Sequence, residues 1–352
     1  MKKTDSFSAL LSSAILKEDC HYILKNTNLK KINKAKVLIL GGNSFLATYL
    51  QLILGYSGCN IISVSLNKPK GLIKSFYKKH KIKFIQMDLA NEKKIKTLIK
   101  KKFDYIFHCA SYGQPKKWQG NELDTIFLNV NLLKLILDHS VKFNSRILYF
   151  SSAAVYEIPK KIRIIDEKSK LGVGKFFSEI LYANSKIIGE QLCEVYKKKY
   201  KKSIYVVRPA HTYGPGQDFS DQRFIPQLLK RAMTEKKIYM FDNGKSVRTW
   251  GYIADITIML LNIVQYGKSF KYNVSGKSHK SFYEVAKSIS KSLNNMPVNI
   301  KTKKLSYTNN KKTILKISSS KYFEEFKHKK VIDFKTGIKK LIDWNREWQK
   351  LN

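Results

Sequence analysis

Two residues four apart, Tyr182 and Lys186, have the types and spacing to do chemistry together. Four residues is about one helical turn, so both side chains fall on one face of a helix. An ammonium beside a phenol favours the phenolate, because an opposite charge stabilises the ionised form. A phenolate formed near neutral pH is a general base that can take the proton of an alcohol. The apolar residues Ile187, Ile188, Leu192, Cys193 and Val195 supply the periodicity of the helix that the pair needs. In a chain rich in Tyr and Lys the same spacing also arises by chance, as an amphipathic helix with a solvated lysine, so the flanking sequence decides.

The elements that would position such a pair can be followed along the chain. Val37-Leu38-Ile39-Leu40 is a continuous apolar run, as in a buried parallel strand. Gly41-Gly42-Asn43-Ser44-Phe45-Leu46-Ala47 follows it and opens a helix predicted through Leu54. Strand, glycine turn and helix in that order are the setting of a dinucleotide-binding turn, whose amides at the helix start meet a pyrophosphate. Further strands are predicted over 60–66, 83–87, 105–109, 146–150 and 203–207, and helices over 92–101, 123–141 and 182–200. This alternation predicts an α/β fold with a doubly wound parallel sheet.

Beyond Tyr213 the rhythm changes. Helices are predicted over 223–236, 255–266, 282–293 and 336–348, with Asp255 and Ser281 as caps and Glu284 at capping-box spacing. Short strands are predicted over 237–241 and 271–274. At the other end, Phe7, Leu10, Leu11, Ala14 and Ile15 fall on the stripe of an amphipathic helix. The expected organisation is a helical arm over 1–35, a dinucleotide-binding domain over 36–213 and a smaller C-terminal α/β lobe for substrate over 214–352. Strand 271–274 is expected to return to the first sheet.

Charge and cysteine usage narrow the function. Among 352 residues, 67 Lys and Arg face 26 Asp and Glu, a formal net charge of +41. Such a balance raises polyanion binding. The excess is mostly Lys, spread over every predicted helix without an aromatic-basic repeat, so it reads as solvated helix faces. No nucleic-acid partner is expected, although the field would draw in an anionic substrate. Cys20, Cys59, Cys109 and Cys193 are scattered with no CxxC pair, which argues against a zinc site or a disulfide scaffold. No metal site is expected, and the cysteine usage fits the reducing cytoplasm. No apolar run approaches the ~20 residues of a membrane span.

The order of motifs from about residue 36 to the C-terminus resembles the extended short-chain dehydrogenase/reductase superfamily. Within it, the chain is similar to the NAD-dependent epimerase/dehydratase family acting on nucleotide sugars. Gly41, Ser44 and Ala47 take the three small positions of the family's GxxGxxG turn, with Phe45 and Leu46 inside it. Asp88-Leu89 matches the pair after the third strand that contacts adenine. His108-Cys109-Ala110-Ser111 resembles the stretch that lines the cofactor, and Asn129 the helix Asn that braces the core. Ser151-Ser152-Ala153-Ala154-Val155-Tyr156 resembles the segment bearing the catalytic Ser or Thr, with Ser152 in that place. Tyr182 and Lys186 match YxxxK. Arg208-Pro209-Ala210-His211-Thr212-Tyr213-Gly214-Pro215-Gly216 resembles RPxNxYGPG, and Arg248-Thr249-Trp250-Gly251-Tyr252-Ile253-Ala254-Asp255 resembles RxFxYVxD, whose Arg binds the nucleotide diphosphate.

The resemblance implies a Rossmann fold, NAD as cofactor, a nucleotide-diphosphate sugar as substrate and a homodimer. It implies cofactor contacts at Gly41, Ser44, Phe45, Leu46, Asp88, Leu89, Cys109, Ala110, Ser111, Asn129, Tyr182, Lys186 and Pro209. It assigns Ser152, Tyr182 and Lys186 to catalysis, with Lys186 lowering the Tyr182 pKa, and His211, Arg248 and Ser152 to the substrate. Four departures qualify this. Ser44 replaces the middle glycine, and its hydroxyl can bond a phosphate in place of close backbone approach. His211 stands where the motif has Asn. Val64-Ser65-Leu66-Asn67-Lys68 lacks the acid that holds an adenosine 2′-hydroxyl, which leaves NADP as the alternative with Lys68 near a 2′-phosphate. Ala153-Ala154 occupies the place where the dehydratases carry Asp-Glu and the decarboxylases a Glu. Two alanines transfer no protons, so the implied reaction is epimerisation or oxidoreduction through a keto sugar, most often at C4. Dehydration or decarboxylation within the family is the alternative. A non-catalytic dinucleotide-binding regulator is the alternative of another class.

Overall fold

The computed structural model describes residues 13–69, 72–80, 82–114, 117–172, 177–217, 219–240, 243–300, 312–328 and 330–351. Phe7, Leu10 and Leu11 of the N-terminal stripe lie outside them. Helix α1 (Ala14–Lys25) precedes strand β1 (Lys36–Leu40), α2 (Phe45–Tyr56), β2 (Asn60–Ser65), α3 (Leu72–Lys79) and β3 (Lys83–Gln86). Next come α4 (Glu92–Leu98), β4 (Tyr105–His108), α5 (Glu122–Ile126), α6 (Leu132–Phe143), β5 (Arg146–Phe150) and β6 (Ile164–Ile165). They are followed by α7 (Phe177–Tyr200), β7 (Ile204–Pro209), β8 (His211–Tyr213), α8 (Phe224–Thr234), β9 (Ile238–Met240) and β10 (Val247–Tyr252). The last elements are α9 (Ile253–Tyr266), β11 (Lys271–Val274), β12 (Ser278–Ser281), α10 (Phe282–Ser292), β13 (Val298–Ile300), β14 (Ile314–Ile317), α11 (Ser320–Phe326) and α12 (Phe334–Leu351).

The chain forms two compact units. The first holds residues up to Glu157, Leu171–Pro209 and Thr257–Tyr272; the second holds Ile158–Lys170, Ala210–Ile256 and the residues from Asn273 on. The first unit is built on a seven-stranded sheet in the order β11-β7-β5-β4-β1-β2-β3. The neighbours from β7 to β3 run parallel, with Leu38 opposite Ile62 on one side and Ile106 on the other. Order 3-2-1-4-5 with helical crossovers is the doubly wound Rossmann arrangement; its inner strands β1, β2, β4, β5 and β7 are largely buried, whereas the edge strand β3 is partly exposed. Leu38, Ile106, Ile147 and Val206 share one core with Leu133, Ile136 and Leu137 of α6. The outlying helix α1 starts at Ser13, whose hydroxyl accepts from Leu16 N at 3.2 Å. It is fixed to α2 by its buried Asp19, which accepts from Tyr49 Oη at 3.0 Å.

Two local departures from the expected elements have physical causes. The helix expected over 123–141 is interrupted by a π turn at Phe127–Asn131 between α5 and α6. That turn leaves the Leu128 carbonyl to accept from His108 Nε2 at 2.9 Å and aims Asn129 at Ser185 Oγ, also 2.9 Å away. The helix α3, between β2 and β3, is absent from the expected elements; it has only eight residues, of which Phe76 and Tyr77 are buried.

The second unit carries a sheet that the sequence reading did not anticipate. Its order is β12-β10-β14-β6, with β8 also paired to β10, and β9 pairs separately with β13. The strands are short, from two to six residues, and mix polar with apolar positions, so alternation does not mark them. Thr249 ties the sheet together: its Oγ1 accepts from Ile317 N at 2.7 Å and meets His279 Nδ1 at 2.8 Å. Ser281 and Glu284 form the expected capping box at the start of α10. Asp255 sits inside the first turn of α9 instead of capping it, and accepts from Ile332 N at 2.9 Å.

Candidate active site

Tyr182 and Lys186 lie one turn apart on α7, and both side chains are buried, at 5% and 1% exposure. Three bonds set the local geometry. Asn129 donates to Ser185 Oγ, and Ser185 in turn donates to the Tyr182 carbonyl at 2.8 Å. Lys186 Nζ donates to the Phe150 carbonyl at the end of β5 at 2.6 Å, and sits 5.0 Å from the Tyr149 ring centre and 5.9 Å from that of Tyr182. The chain leaves β5 through Ser151 and Ser152, and Ser152 caps the following 3-10 turn by accepting from Ala154 N at 3.1 Å. Gly189 permits the approach of α7, since a Cβ there would fall 2.3 Å from Tyr149 Oη.

The electrostatics differ from the sequence-based expectation. Burial pushes the Tyr182 phenol above its usual pKa, and the Ser152 and Ser111 hydroxyls pull it partly back. Burial also pushes Lys186 down to about 7, with nearby Glu190 opposing the shift. The expected lowering of Tyr182 by the Lys186 charge is thus not found. The ammonium bonds a backbone carbonyl and faces aromatic rings, while both groups lose water, and desolvation disfavours either charge. His108, also buried and near Lys186, is driven down to about 3 and is a neutral hydrogen-bonding group.

The turn after β1 is shaped for close approach. Gly41 has φ +82°, and a Cβ there would sit 2.7 Å from the Ala110 backbone after β4. Gly41 N and Gly42 N both bond the Val64 carbonyl, at 2.9 and 3.0 Å, and Gln51 Nε2 bonds the Gly42 carbonyl at 2.7 Å. Ser44 is the N-cap residue of α2 but makes no capping bond, and its Oγ is buried without a partner in the protein. Phe45 and Leu46, both half-buried, follow it in the first turn of α2. Ser111 Oγ likewise makes no well-formed hydrogen bond within the protein, nor does Asn129 Oδ1. An unmet buried hydroxyl costs ~1–3 kcal/mol, so these atoms are places where a polar ligand would be stabilising. A turn without a Cβ, the first amides of α2 and the unpartnered Ser44 hydroxyl fit a dinucleotide pyrophosphate. Asp88 is exposed after β3, with its carboxylate turned to Ala90 N at 2.9 Å, and Leu89 is buried beside it. Cys109 and Pro209 are half-buried at the ends of β4 and β7. Leu66, Asn67 and Lys68, after β2, are all exposed.

His211 and Arg248 belong to the second unit. His211 begins β8, edge-on to Trp250 at 5.0 Å and to Phe282 at 6.4 Å. Its edge stays exposed, yet desolvation by these rings and then the Arg248 and Arg223 charges push its pKa below the usual histidine value. Arg248, on β10, donates from Nη1 to the Val247 and Thr313 carbonyls at 2.9 and 3.1 Å, and from Nη2 to Thr313 Oγ1 at 2.9 Å. Among the described residues no cluster of His, Cys, Asp or Glu could hold a metal ion, and no helix is long and apolar enough to cross a membrane.

Two features of the first unit escaped the sequence reading. The Trp118 indole stacks on the Tyr182 ring, with centres 4.5 Å apart and planes 15° from parallel. No periodicity marks Trp118, which lies in the irregular segment between β4 and α5. The second is a buried ion pair: Arg208 Nε donates to Glu190 Oε1 at 2.7 Å and Nη2 to Oε2 at 2.5 Å. Ser151 Oγ also donates to Glu190 Oε1 at 2.5 Å, and Arg208 Nη1 to Tyr156 Oη at 2.7 Å. The signal was available, since Glu190 repeats the spacing of Tyr182 and Lys186 on the same helix face.

Known proteins share this arrangement of strands and turns. The chain is 24% identical over 260 residues to a dTDP-4-dehydro-6-deoxy-D-allose reductase of a Streptomyces species, covering 71% of this chain and 78% of that protein. The crystal structure of dTDP-glucose 4,6-dehydratase from Bacillus anthracis in complex with NAD matches with a TM-score of 0.76 at 20% identity, over 90% of this chain and 98% of the other. UDP-glucose 4-epimerase from Thermotoga maritima with UDP-glucose matches with a TM-score of 0.78 at 17% identity, over 90% and 100% of the two chains. These likenesses establish the fold and span three reactions. A family model, described as the NAD dependent epimerase/dehydratase family, matches residues 37–275. That stretch runs from β1 through the glycine turn, Ser152, Tyr182 and Lys186 to the end of β11, and the chain belongs to the NAD-dependent epimerase/dehydratase family.

Proposed function

We propose that this protein is an NAD-dependent nucleotide-sugar epimerase or oxidoreductase that works through a keto sugar, at C4, and does not eliminate water. The observation that carries the reading is the pair Ala153 and Ala154 in the turn beside Ser152. Dehydration needs a base for the proton alpha to the carbonyl and an acid for the departing hydroxyl. Methyl side chains supply neither.

Bound NAD would supply the hydride acceptor and donor for the sugar carbon. Tyr182 Oη exchanges a proton with the sugar oxygen, Ser152 Oγ hydrogen-bonds that oxygen, and Lys186 holds the phenol's surroundings positive when charged. Gly41, Ser44 and Ser111 hold the dinucleotide, with Phe45, Leu46, Asp88, Leu89, Cys109, Ala110, Asn129 and Pro209 around it. His211 and Arg248 bind the nucleotide diphosphate. The missing acid after β2 keeps NADP open as the coenzyme, through Lys68. Leu123 and Ile126 of α5 and Ile188 and Val195 of α7 are exposed, at 82%, 39%, 45% and 56%, on two helices that pack on each other; they form a homodimer contact.

A reductase reading has its own support. The Tyr182 phenol is held in its acid form by burial, ready to protonate a carbonyl oxygen. Incubation with UDP- and dTDP-hexoses and their 4-keto derivatives, with NAD, NADH or NADPH, separates the outcomes. An epimerase yields the C4 epimer with no net change in absorbance of the reduced coenzyme. A reductase consumes one reduced coenzyme per keto sugar. A 4-keto-6-deoxy product from a hexose would reject both.

A further inference from the structure

Tyr182 is enclosed by groups from several elements. Lys186 faces it from its own helix α7, Tyr149 from β5, Ser152 from the turn after β5, and Ser111 and Trp118 from the segment after β4. Trp118 stands out because nothing in the proton transfer itself requires it. Its indole lies nearly parallel to the phenol at 4.5 Å, a stacking distance. It is anchored from behind: Nε1 donates to the Tyr112 carbonyl at 2.6 Å, and Tyr112 Oη donates to Asp124 Oδ2 at 3.2 Å at the start of α5. Trp118 is half-buried while the phenol it stacks on is buried.

We propose that Trp118 is a positioning residue for Tyr182, fixing the plane of the phenol and keeping water off its face. The proposal rests on reading Tyr182 as the proton-transfer group. A phenol free to turn about its side-chain bonds would spend less time aimed at the sugar oxygen, and misplacement of a reacting group is costly in rate. A phenol open to water on that face would also ionise more easily, because desolvation is the main force holding it protonated.

The ligand-free full-length chain gives the test. With 20 tyrosines, the ionisation of one is read as the difference in alkaline ultraviolet titration between a chain with Tyr182 and the matched Tyr182→Phe chain. Trp118→Ala should move that step to lower pH by about one unit or more, whereas Trp118→Phe should leave it in place. Trp118→Leu covers the case in which the alanine variant does not fold, with a shift in the same direction. Wild-type tryptophan fluorescence should fall as the stacked phenolate forms, and this quenching should vanish in Tyr182→Phe and Trp118→Phe. An unmoved ionisation in the alanine or leucine variant, or an absent quenching step in wild type, would overturn the proposal. In turnover, Trp118→Ala should lower kcat about tenfold with KM within about threefold, and Trp118→Phe should restore it. An effect confined to KM would assign the ring to sugar stacking and also overturn it. The functional reading fails separately, if Tyr182→Phe keeps its turnover.

Discussion

At the scale of single residues, the question is what sets the protonation of Tyr182 and Lys186. Their spacing on one helix face is visible in the sequence, and α7 bears both. Their pKa directions were not visible, because they depend on residues far away in the chain: Trp118, Ser111 and Ser152 for the phenol, Phe150 and Tyr149 for the ammonium. Tyr182→Phe removes one hydroxyl and almost no volume. It is expected to lower kcat by ~10²–10⁴-fold, the range for one proton-transfer group, with an unchanged circular dichroism melt. Lys186 gives a pH test of stability. Its pKa falls from 10.5 to about 7 on folding, so between those values the unfolded chain binds a proton that the folded chain does not. Stability therefore rises with pH across that window, while below it the full cost of the buried charge remains. Compared by urea unfolding, the wild type should gain on Lys186→Met as pH is raised from 7 towards 10. A stability difference independent of pH would show that Lys186 keeps an ordinary pKa in the folded state.

At the scale of elements, the site depends on how α7 is held against β5 and β7. Glu190 and Arg208, 2% and 0% exposed, bridge α7 to β7, while Ser151 joins them from the end of β5. Removing one partner of a buried pair leaves an uncompensated charge, so Glu190→Ala should cost ~3–5 kcal/mol of unfolding free energy. A loss of under ~1 kcal/mol in urea melts would mean that α7 is held by apolar packing alone. The glycine turn gives a second test. Gly41→Ala forces a Cβ against the Ala110 backbone at positive φ, so NAD binding by calorimetry should weaken at least about tenfold. Continuous apolar strands such as 37–40 and 146–150 were legible because a parallel sheet buries both faces. The π turn at Phe127–Asn131 was not, since its cause is a set of bonds to His108 and Ser185 on other elements. The sheet of the second unit was missed because β6, β8 and β12 have two to four residues and little alternation.

At the scale of the whole molecule, the family-model match over residues 37–275 places the chain in its family, and the proteins it resembles carry out several reactions. Motif order carried the family assignment from the sequence, because the glycine turn, Ser152 and Tyr182 with Lys186 each lie at the end or flank of a legible element. The reaction was read from an absence of carboxylates at Ala153 and Ala154, which burial and distance neither strengthen nor weaken. The proposed homodimer is tested through the exposed apolar residues of α5 and α7: the wild type should have a dimer mass by light scattering, and Leu123→Asp with Val195→Asp a monomer mass. A wild-type monomer at micromolar concentration would remove the dimer from the account. The central claim, hydride chemistry at C4 without elimination, is tested most directly by running the reaction in D2O and locating deuterium in the product by NMR. Elimination must first remove the C5 proton, whereas epimerisation or reduction at C4 leaves that C–H bond intact. The account predicts a C4-epimerised or C4-reduced sugar with no deuterium at C5 and its 6-substituent unchanged. Deuterium at C5 together with loss of the 6-hydroxyl would contradict it.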